Sequence, residues 1–525
     1  MHAIKVARLC AVCTMASLLF LCFLPGAVSR TAFAAAPIPI VAGPIPATSD
    51  SYPLDAANHS VVPQNLSQFG YVEEEYLVSG AATVYTLDST GKAAVKTPNA
   101  PYTTRILVRR PASSQGFSST VVVEILNSTG SYDVDYEWEF LRDYLLDNKI
   151  AWVGVTAKPI AAKALKTFDP KRYAGVSWAN PLPLDKTCPQ PVSVLGDTAP
   201  ATENGLVWDI LSQVGSLVRS NSPQNPLKGF PVDKVYLIGY SQSGGYVVTY
   251  VNFIRPLPSA TLENGKPVYD AYFNGDGDGL YALAPALDQC SPPPQMGDTR
   301  FLVQPRPEPM ITIVSQTRVG TSAAERRPDS DSPTDRYRRY EIPGASHGSQ
   351  RMANLSPTTA DSEKVGVPYH RFDCTEFAAH GMADFPFEYF MAAAFSNLDA
   401  WARSGTVPPK APLMSLEKVP TAPFPVPEVD KYGNALGGLR SPYVDVPIAT
   451  YFGSSTPENP SARLGCSLSG YKVPLKKSDL LELYPTHDAY VNKVSEEVDA
   501  MMKERLLTPS DGAKIKDEAA RASVP

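Results

Sequence analysis

The stretch Lys234-Val-Tyr-Leu-Ile-Gly-Tyr-Ser-Gln-Ser-Gly-Gly-Tyr246 decides how this chain is read. Val235 to Ile238 is a run of β-branched and large apolar residues, the pattern of a buried strand. Gly239-Tyr-Ser-Gln-Ser243 follows, and Gly244 to Tyr250 has the composition of a starting helix. A serine set among small residues where a strand turns into a helix is the arrangement of a nucleophile elbow. The turn is strained and the chain passes close to itself, so its neighbours must be small. The Ser241 hydroxyl is then held clear of the sheet, above a helix N-terminus. Ser243 stands where the usual motif has Gly. A Gly-x-Ser-x-small match alone is common by chance; the strand before it and the helix after it give it weight.

The chain has 525 residues, more than one ordinary core fills. Lys5 and Arg8 precede an apolar run from Leu9 to Leu24, then Pro25-Gly26 and small residues with Ala32-Phe33-Ala34 as a cleavage site. Residues 1–34 therefore read as a secretory signal peptide, too short and too early for a membrane span. Removing Lys5, Arg8 and Arg30 with it takes the net charge from −6 to −9. A mildly acidic chain without a basic cluster argues against nucleic-acid binding, and no later apolar run is long enough for a membrane span. Of 7 cysteines, Cys10, Cys13 and Cys22 fall in the leader, leaving Cys188, Cys290, Cys374 and Cys466 for one or two disulfides among three possible connectivities. Their spacing matches no metal-ligand pattern.

Residues 35–70, Pro- and Ser-rich, read as an extended arm. Tyr71–Val78, Ala82–Leu87 and Tyr102–Arg110 alternate as antiparallel strands do, and Thr120–Leu126 is a more buried strand. Helical spacing over Tyr136–Asn148, a strand over Ile150–Thr156 and a helix over Leu206–Val218 lead to the elbow. Short strands at Ala271–Phe273, Met310–Val314 and Arg336–Ile342 follow, then an apolar helix from Phe385 to Trp401. Residues 404–475 are an irregular Pro- and Gly-rich excursion. Helices at Lys477–Leu483 and Asp488–Leu506 and a polar tail close the chain. Antiparallel strands followed by strand–helix alternation predict an α/β fold, a mixed and mostly parallel sheet with helices on both faces.

A serine hydroxyl needs a positioned base. Of 6 histidines, His347 alone lies directly after a strand, about a hundred residues beyond the serine, in Ile342-Pro-Gly-Ala-Ser-His347. His370 and His380, flanking Cys374, are the alternatives. The orienting acid is harder to place. The loop after Met310–Val314 reads Ser315-Gln-Thr-Arg318, without a carboxylate. The preceding strand ends in Asn274-Gly-Asp-Gly-Asp-Gly279, so Asp276 is the first choice, with Asp278, Glu325, Asp329 and Asp331 as alternatives. An EF-hand in the same stretch is excluded because its twelfth position is Pro285. Oxyanion donors are expected from the backbone of Gln242 and from Asn127-Ser-Thr-Gly130, with Ser128 at its centre. Of the Asn-x-Ser/Thr triplets, the one at Asn127 would put a glycan beside that loop.

With these residues in hand, the chain resembles a family of exported hydrolases known only by their "alpha/beta hydrolase domain". The matching stretches are Trp152–Val155, Phe168–Tyr173, Gly239–Gly244, Tyr340–His347, Trp401–Gly405, Gly433–Gly438 with Arg440–Pro447, and Leu483–His487. They run through nearly the whole mature chain, which implies one elaborated domain over 71–525. The resemblance carries Ser241 as nucleophile and His347 as base. Acidic residues of the family stand where this chain has Gln316 and Arg318, which moves the acid to Asp276 or Asp278 or weakens the triad. The elbow also matches cutinases, but the likeness stops there. The expectation is a secreted or periplasmic serine hydrolase that cleaves a small-molecule or lipid-like ester without a cofactor. Acyl transfer, peptide cleavage, or a binding protein with a decayed triad are the alternatives. The segments 157–202 and 404–475 are expected to shape the pocket.

Overall fold

A computed structural model describes residues 35–188, 199–278, 287–291, 297–367 and 372–525; the expected leader and His370 lie outside the described residues. The strands are β1 (Ile40–Ala42), β2 (Tyr71–Leu87), β3 (Ala93–Pro111), β4 (Thr120–Ile125), β5 (Ala151–Val155), β6 (Lys234–Tyr240), β7 (Ala271–Gly275), β8 (Met310–Ser315), β9 (Ser330–Ser332) and β10 (Asp335–Ile342). They form one sheet in the order β1-β2-β3-β5-β4-β6-β7-β8-β10-β9. The run from β5 through β4, β6, β7 and β8 to β10 is parallel, and the pairings of β1–β2, β2–β3, β3–β5 and β9–β10 are antiparallel. This is the mixed, mostly parallel sheet that the hydrophobic patterning implies.

Alternation along the central strands explains the two cores. Val121, Val123, Val235 and Leu237 pack on one face with α2 (Pro159–Phe168), α3 (Val207–Arg219) and α4 (Gln242–Thr249). Val122, Tyr236, Ile238 and Phe273 pack on the other with α1 (Tyr136–Asp147), the helix Phe387–Ser404 and the C-terminal helices. Buried on both sides, these strands read as continuous apolar runs.

The sequence reading needs correction in four places. The arm is not merely extended: Ile40–Ala42 pairs with β2 as an edge strand. The expected pair Tyr71–Val78 and Ala82–Leu87 is one 17-residue strand that bends at a bulge between Ala82 and Tyr85. The polar tail holds a helix, Pro509–Arg521, whose Ile515 and Ala519 are buried beside Val498. The excursion at 404–475 contains the antiparallel pair Ala449–Phe452 and Tyr471–Pro474 and the helix Arg463–Leu468. The four cysteines after residue 34 form Cys188–Cys290 and Cys374–Cys466. Among the described residues, no helix is long and apolar enough to cross a membrane.

What fastens the arm and the loop after β4 to the sheet is a buried charge network on β3. Arg105 pairs with Asp133 at 2.8 Å and donates to the backbone oxygen of Leu54. Arg109, lying against both the Trp138 and Trp152 rings, pairs with Glu73 and Asp135 and donates to the backbone oxygen of Asp55. Removing one member of a buried pair leaves the other uncompensated. Arg105→Met should therefore lower unfolding free energy in urea by about 3–5 kcal/mol. A loss below about 1 kcal/mol would show that the network is not holding these segments.

Candidate active site

Ser241, Asp276 and His347 each follow the carboxyl end of a parallel strand, where open α/β sheets place their ligands. Tyr240 pairs with Gly275 across β6 and β7, and Gly275 with Ile313 across β7 and β8. The next residues along, Ser241 and Asp276, therefore leave adjacent strand ends at the same level, and His347 comes from the loop after β10.

Ser241 has φ 58° and ψ −125°, a strained conformation, and its N–H donates to the backbone oxygen of Gly275 at 2.7 Å. The flanking glycines are obligatory. A Cβ on Gly239 would lie 2.6 Å from the Ser243 backbone oxygen, and one on Gly244 would lie 2.2 Å from Asn274 Oδ1 and 2.8 Å from Gly277 Cα. The crowding falls on positions 239 and 244, so the usual glycine can be Ser at 243.

His347 is 4% exposed, and its Nδ1 lies 2.6 Å from Asp276 Oδ2. That contact fixes the tautomer with hydrogen on Nδ1 and leaves Nε2 as an acceptor. The His347 N–H donates to Thr317 Oγ1 at 3.0 Å, and the Tyr240 hydroxyl donates to the His347 backbone oxygen at 2.6 Å. Gly344, at φ 85°, turns the loop beneath the Phe385 ring, where a Cβ would come within 2.8 Å.

Asp276 is fully buried. The loop that lacks an acid supplies its donors instead. The Ser315 N–H reaches Oδ1 at 2.8 Å, and the Ser315 hydroxyl reaches Oδ2 at 2.6 Å. Burial raises the Asp276 carboxyl, but the charge and hydrogen bond of His347 and the two Ser315 bonds outweigh it, and the net shift is downward. Gln316 accepts the Gly344 N–H at 2.7 Å, and Arg318 donates to the Asp278 backbone oxygen at 3.1 Å. The two positions that depart from the family pattern thus support the loops on either side of the pair.

The other acids are engaged elsewhere. Asp278 pairs with Arg339 and accepts from Asn274 Nδ2 at 2.6 Å. Asp329 and Asp331 pair with Arg338 at 2.9 and 2.6 Å, and Glu325 ends a short helical turn after Arg318. Glu137 lies under Gly275, where burial and the neighbouring Glu124 and Asp276 charges push its carboxyl well above the usual range. His380 stacks on Tyr471, His59 on Tyr52, and His487 sits against the Val524 and Ala520 carbonyls.

Gln242 opens α4, and its side chain accepts from the buried Lys158 Nζ at 2.6 Å. Lys158, missed in the sequence, comes from the β5–α2 connection. Across from it, Asn127 bridges to Val134, closing a short loop around Ser128. Asn127 Nδ2 donates to the Tyr240 backbone oxygen at 2.9 Å, which ties this loop to the elbow and leaves no room for a glycan. The Thr129 N–H is taken by Asn127 Oδ1.

Ser241 and His347 line one cavity of about 370 Å³. Thr129–Ser131 and Tyr136 also line it, as do Met352, Val367, Phe372, Leu464 and Leu468; Ser128, expected at the centre of the oxyanion loop, is not among the lining. The excursion at 404–475 thus reaches the pocket as expected. No described residue of 157–202 is among its lining, contrary to expectation; Lys158 of that stretch reaches the Gln242 side chain instead. Among the described residues, no group of His, Cys, Asp or Glu is placed to hold a metal ion.

A strained serine at a strand–helix turn, with candidates on successive strand ends of such a sheet, defines an α/β-hydrolase fold. Residues 41–517 match the family described as "Alpha/beta hydrolase domain". The chain belongs to that family. No curated protein matches it. Among solved structures it is similar to esterase B from Lactobacillus rhamnosis (12% identity, TM-score 0.30, covering 63% of this chain and 87% of that one). It is also similar to a fungal esterase from Rhizomucor miehei (11%, TM-score 0.30, covering 56% and 81%). A third is the glucuronoyl esterase from Solibacter usitatus (9%, TM-score 0.28, covering 52% and 77%).

Because its folded value is depressed, Asp276 contributes stability that is complete above the ordinary carboxylate range and is lost as pH falls through the folded value. Thermal unfolding of Asp276→Asn should therefore show a shallower decline in Tm than wild type between about pH 5 and pH 3. Equal slopes would contradict an Asp276 carboxyl held below its ordinary range in the folded state.

Proposed function

We propose that this protein is an exported serine hydrolase acting on carboxylic esters. The observation that carries the reading is His347, held through Nδ1 by buried Asp276 at 2.6 Å, sharing a cavity with the strained Ser241. In this reading His347 Nε2 takes the Ser241 proton as Oγ attacks the ester carbonyl. The oxyanion faces the N-terminus of α4, where the Gln242 N–H has no acceptor within the helix, and the loop around Ser128 supplies the second donor. The tetrahedral intermediate collapses with expulsion of the alcohol, which receives the proton from His347. Water, activated by the same imidazole, then attacks the acyl-enzyme and releases the carboxylic acid. Asp276 orients the imidazole and stabilises its charged form.

Asp276 opposite His347 Nδ1 weighs against a decayed triad. Two disulfides, and the basic then apolar start of the chain, support an oxidising compartment.

A fluorophosphonate probe should label wild type at a single serine, and Ser241→Ala should abolish both the label and ester hydrolysis. Labelling that survives the substitution rejects Ser241 as nucleophile. Asp276→Asn should lower kcat about 10⁴-fold with little change in KM, since the neutral amide favours the wrong imidazole tautomer.

A further inference from the structure

The segment 453–470 contributes Ser461, Leu464, Gly465, Leu468 and Ser469 to the lining of the cavity, and it is fastened to two neighbours. One is the chain that carries Phe372. Cys466 bonds to Cys374, the Thr375 N–H donates to the Thr456 backbone oxygen, and the Glu458 N–H donates to the Asp373 backbone oxygen, both at 2.9 Å. The disulfide is buried in a small separate cluster with Ala462, against which Phe377 packs. The other is the histidine loop: the Gly348 N–H donates to the Leu468 backbone oxygen at 2.7 Å. The helix Arg463–Leu468, which carries both Cys466 and Leu468, lines the cavity with Leu464 and Leu468, as Phe372 does. Leu464 is 48% exposed, an apolar side chain left at the mouth of the site. None of the described lining residues carries a carboxylate, ammonium or guanidinium group.

We propose that this cystine-pinned segment is the specificity element of the site, and that it selects esters bearing an uncharged apolar group. Resting on the hydrolase reading, the proposal adds what the site accepts and which covalent bond holds the wall in place. An alkyl or aryl group entering between Phe372 and Leu468 exchanges water for apolar contact, whereas a charged group finds no partner among the described residues and loses its hydration. The Cys374–Cys466 bond keeps Phe372 and the Leu464–Leu468 helix face to face. Without it the wall is held by hydrogen bonds alone, those of the backbone and those from Thr456 to Glu376 and Asn459 to Asp373, and the pocket loses its definition before the histidine loop does. Cys374 and Cys466 are thus positioning residues.

The test uses the mature protein and two series of neutral esters, one lengthening the acyl group and the other the alcohol, with a hemisuccinate as the charged arm. In one series kcat/KM should rise about four-fold per methylene, the ratio given by burying about 0.8 kcal/mol per CH₂, until the cavity is full. The series that responds identifies which side of the ester occupies the wall. The hemisuccinate should be poorer than the butyrate by at least about a hundred-fold. Leu468→Trp, which fills the space, and Cys374→Ala/Cys466→Ala should each cut the butyrate-to-acetate ratio about ten-fold or more, with the loss in KM rather than kcat. The same slope should appear in equilibrium binding of the neutral esters to Ser241→Ala, so the proposal stands or falls without turnover. Flat dependence in both series, a hemisuccinate bound as well as butyrate, or an unchanged ratio in both variants would overturn it. Hydrolysis persisting in Ser241→Ala would instead overturn the serine assignment while leaving the binding slope to be judged by itself.

Discussion

The contact between Asp276 and His347 is the constraint on which the rest of the site depends. A carboxylate with no solvent access is tolerable only when its oxygens are occupied by donors. Here three donors converge on Asp276: the Ser315 amide, the Ser315 hydroxyl and the His347 imidazole. Two of them come from the end of β8, so that strand serves the pair without supplying its acid. Asp276 itself sits at φ 51°, in the left-handed region that Asp tolerates better than most residues. With Ser241 also at positive φ, strained backbone is concentrated at two adjacent strand ends.

The surrounding chain over-determines that geometry. Thr317 receives the His347 amide, Gln316 receives the Gly344 amide, and Leu468 receives the Gly348 amide, so the histidine loop is tied at three points. On the far side Asn127 ties the loop after β4 to the last residue of the elbow strand, and Asp133 and Asp135 anchor its return to arginines on β3. A site assembled from four loops is thereby referred to one rigid sheet, which is what positioned catalysis requires.

The central strands and amphipathic helices were legible in the sequence because burial on both sheet faces writes itself as periodicity. Ser241 and His347 were legible for a related reason, since each follows a recognisable strand at a predictable interval. What escaped was whatever depends on partners distant in the chain. Ile40–Ala42 is too short to carry a pattern and is a strand only because β2 offers it an edge. The helix Pro509–Arg521 looks polar because its apolar stripe is narrow, with Ile515 and Ala519 facing the preceding helix. Ser315 and Thr317 looked like a loop without an acid; their role as donor and acceptor is defined by Asp276 and His347, roughly 30–40 residues away in either direction. The choice among five carboxylates needed the sheet register, which sends Asp278 to Arg339 and turns Asp276 toward the imidazole.

Carboxylate–imidazole pairing is the central claim, and proton NMR reads it most directly. The shared proton between His347 Nδ1 and Asp276 should resonate far downfield of the amide envelope in wild type. It should persist in Ser241→Ala, which leaves the pair intact, and vanish in Asp276→Asn. A downfield resonance that survives Asp276→Asn, or that disappears when Asp278 is changed instead, would contradict the assignment of Asp276 as the acid that orients His347.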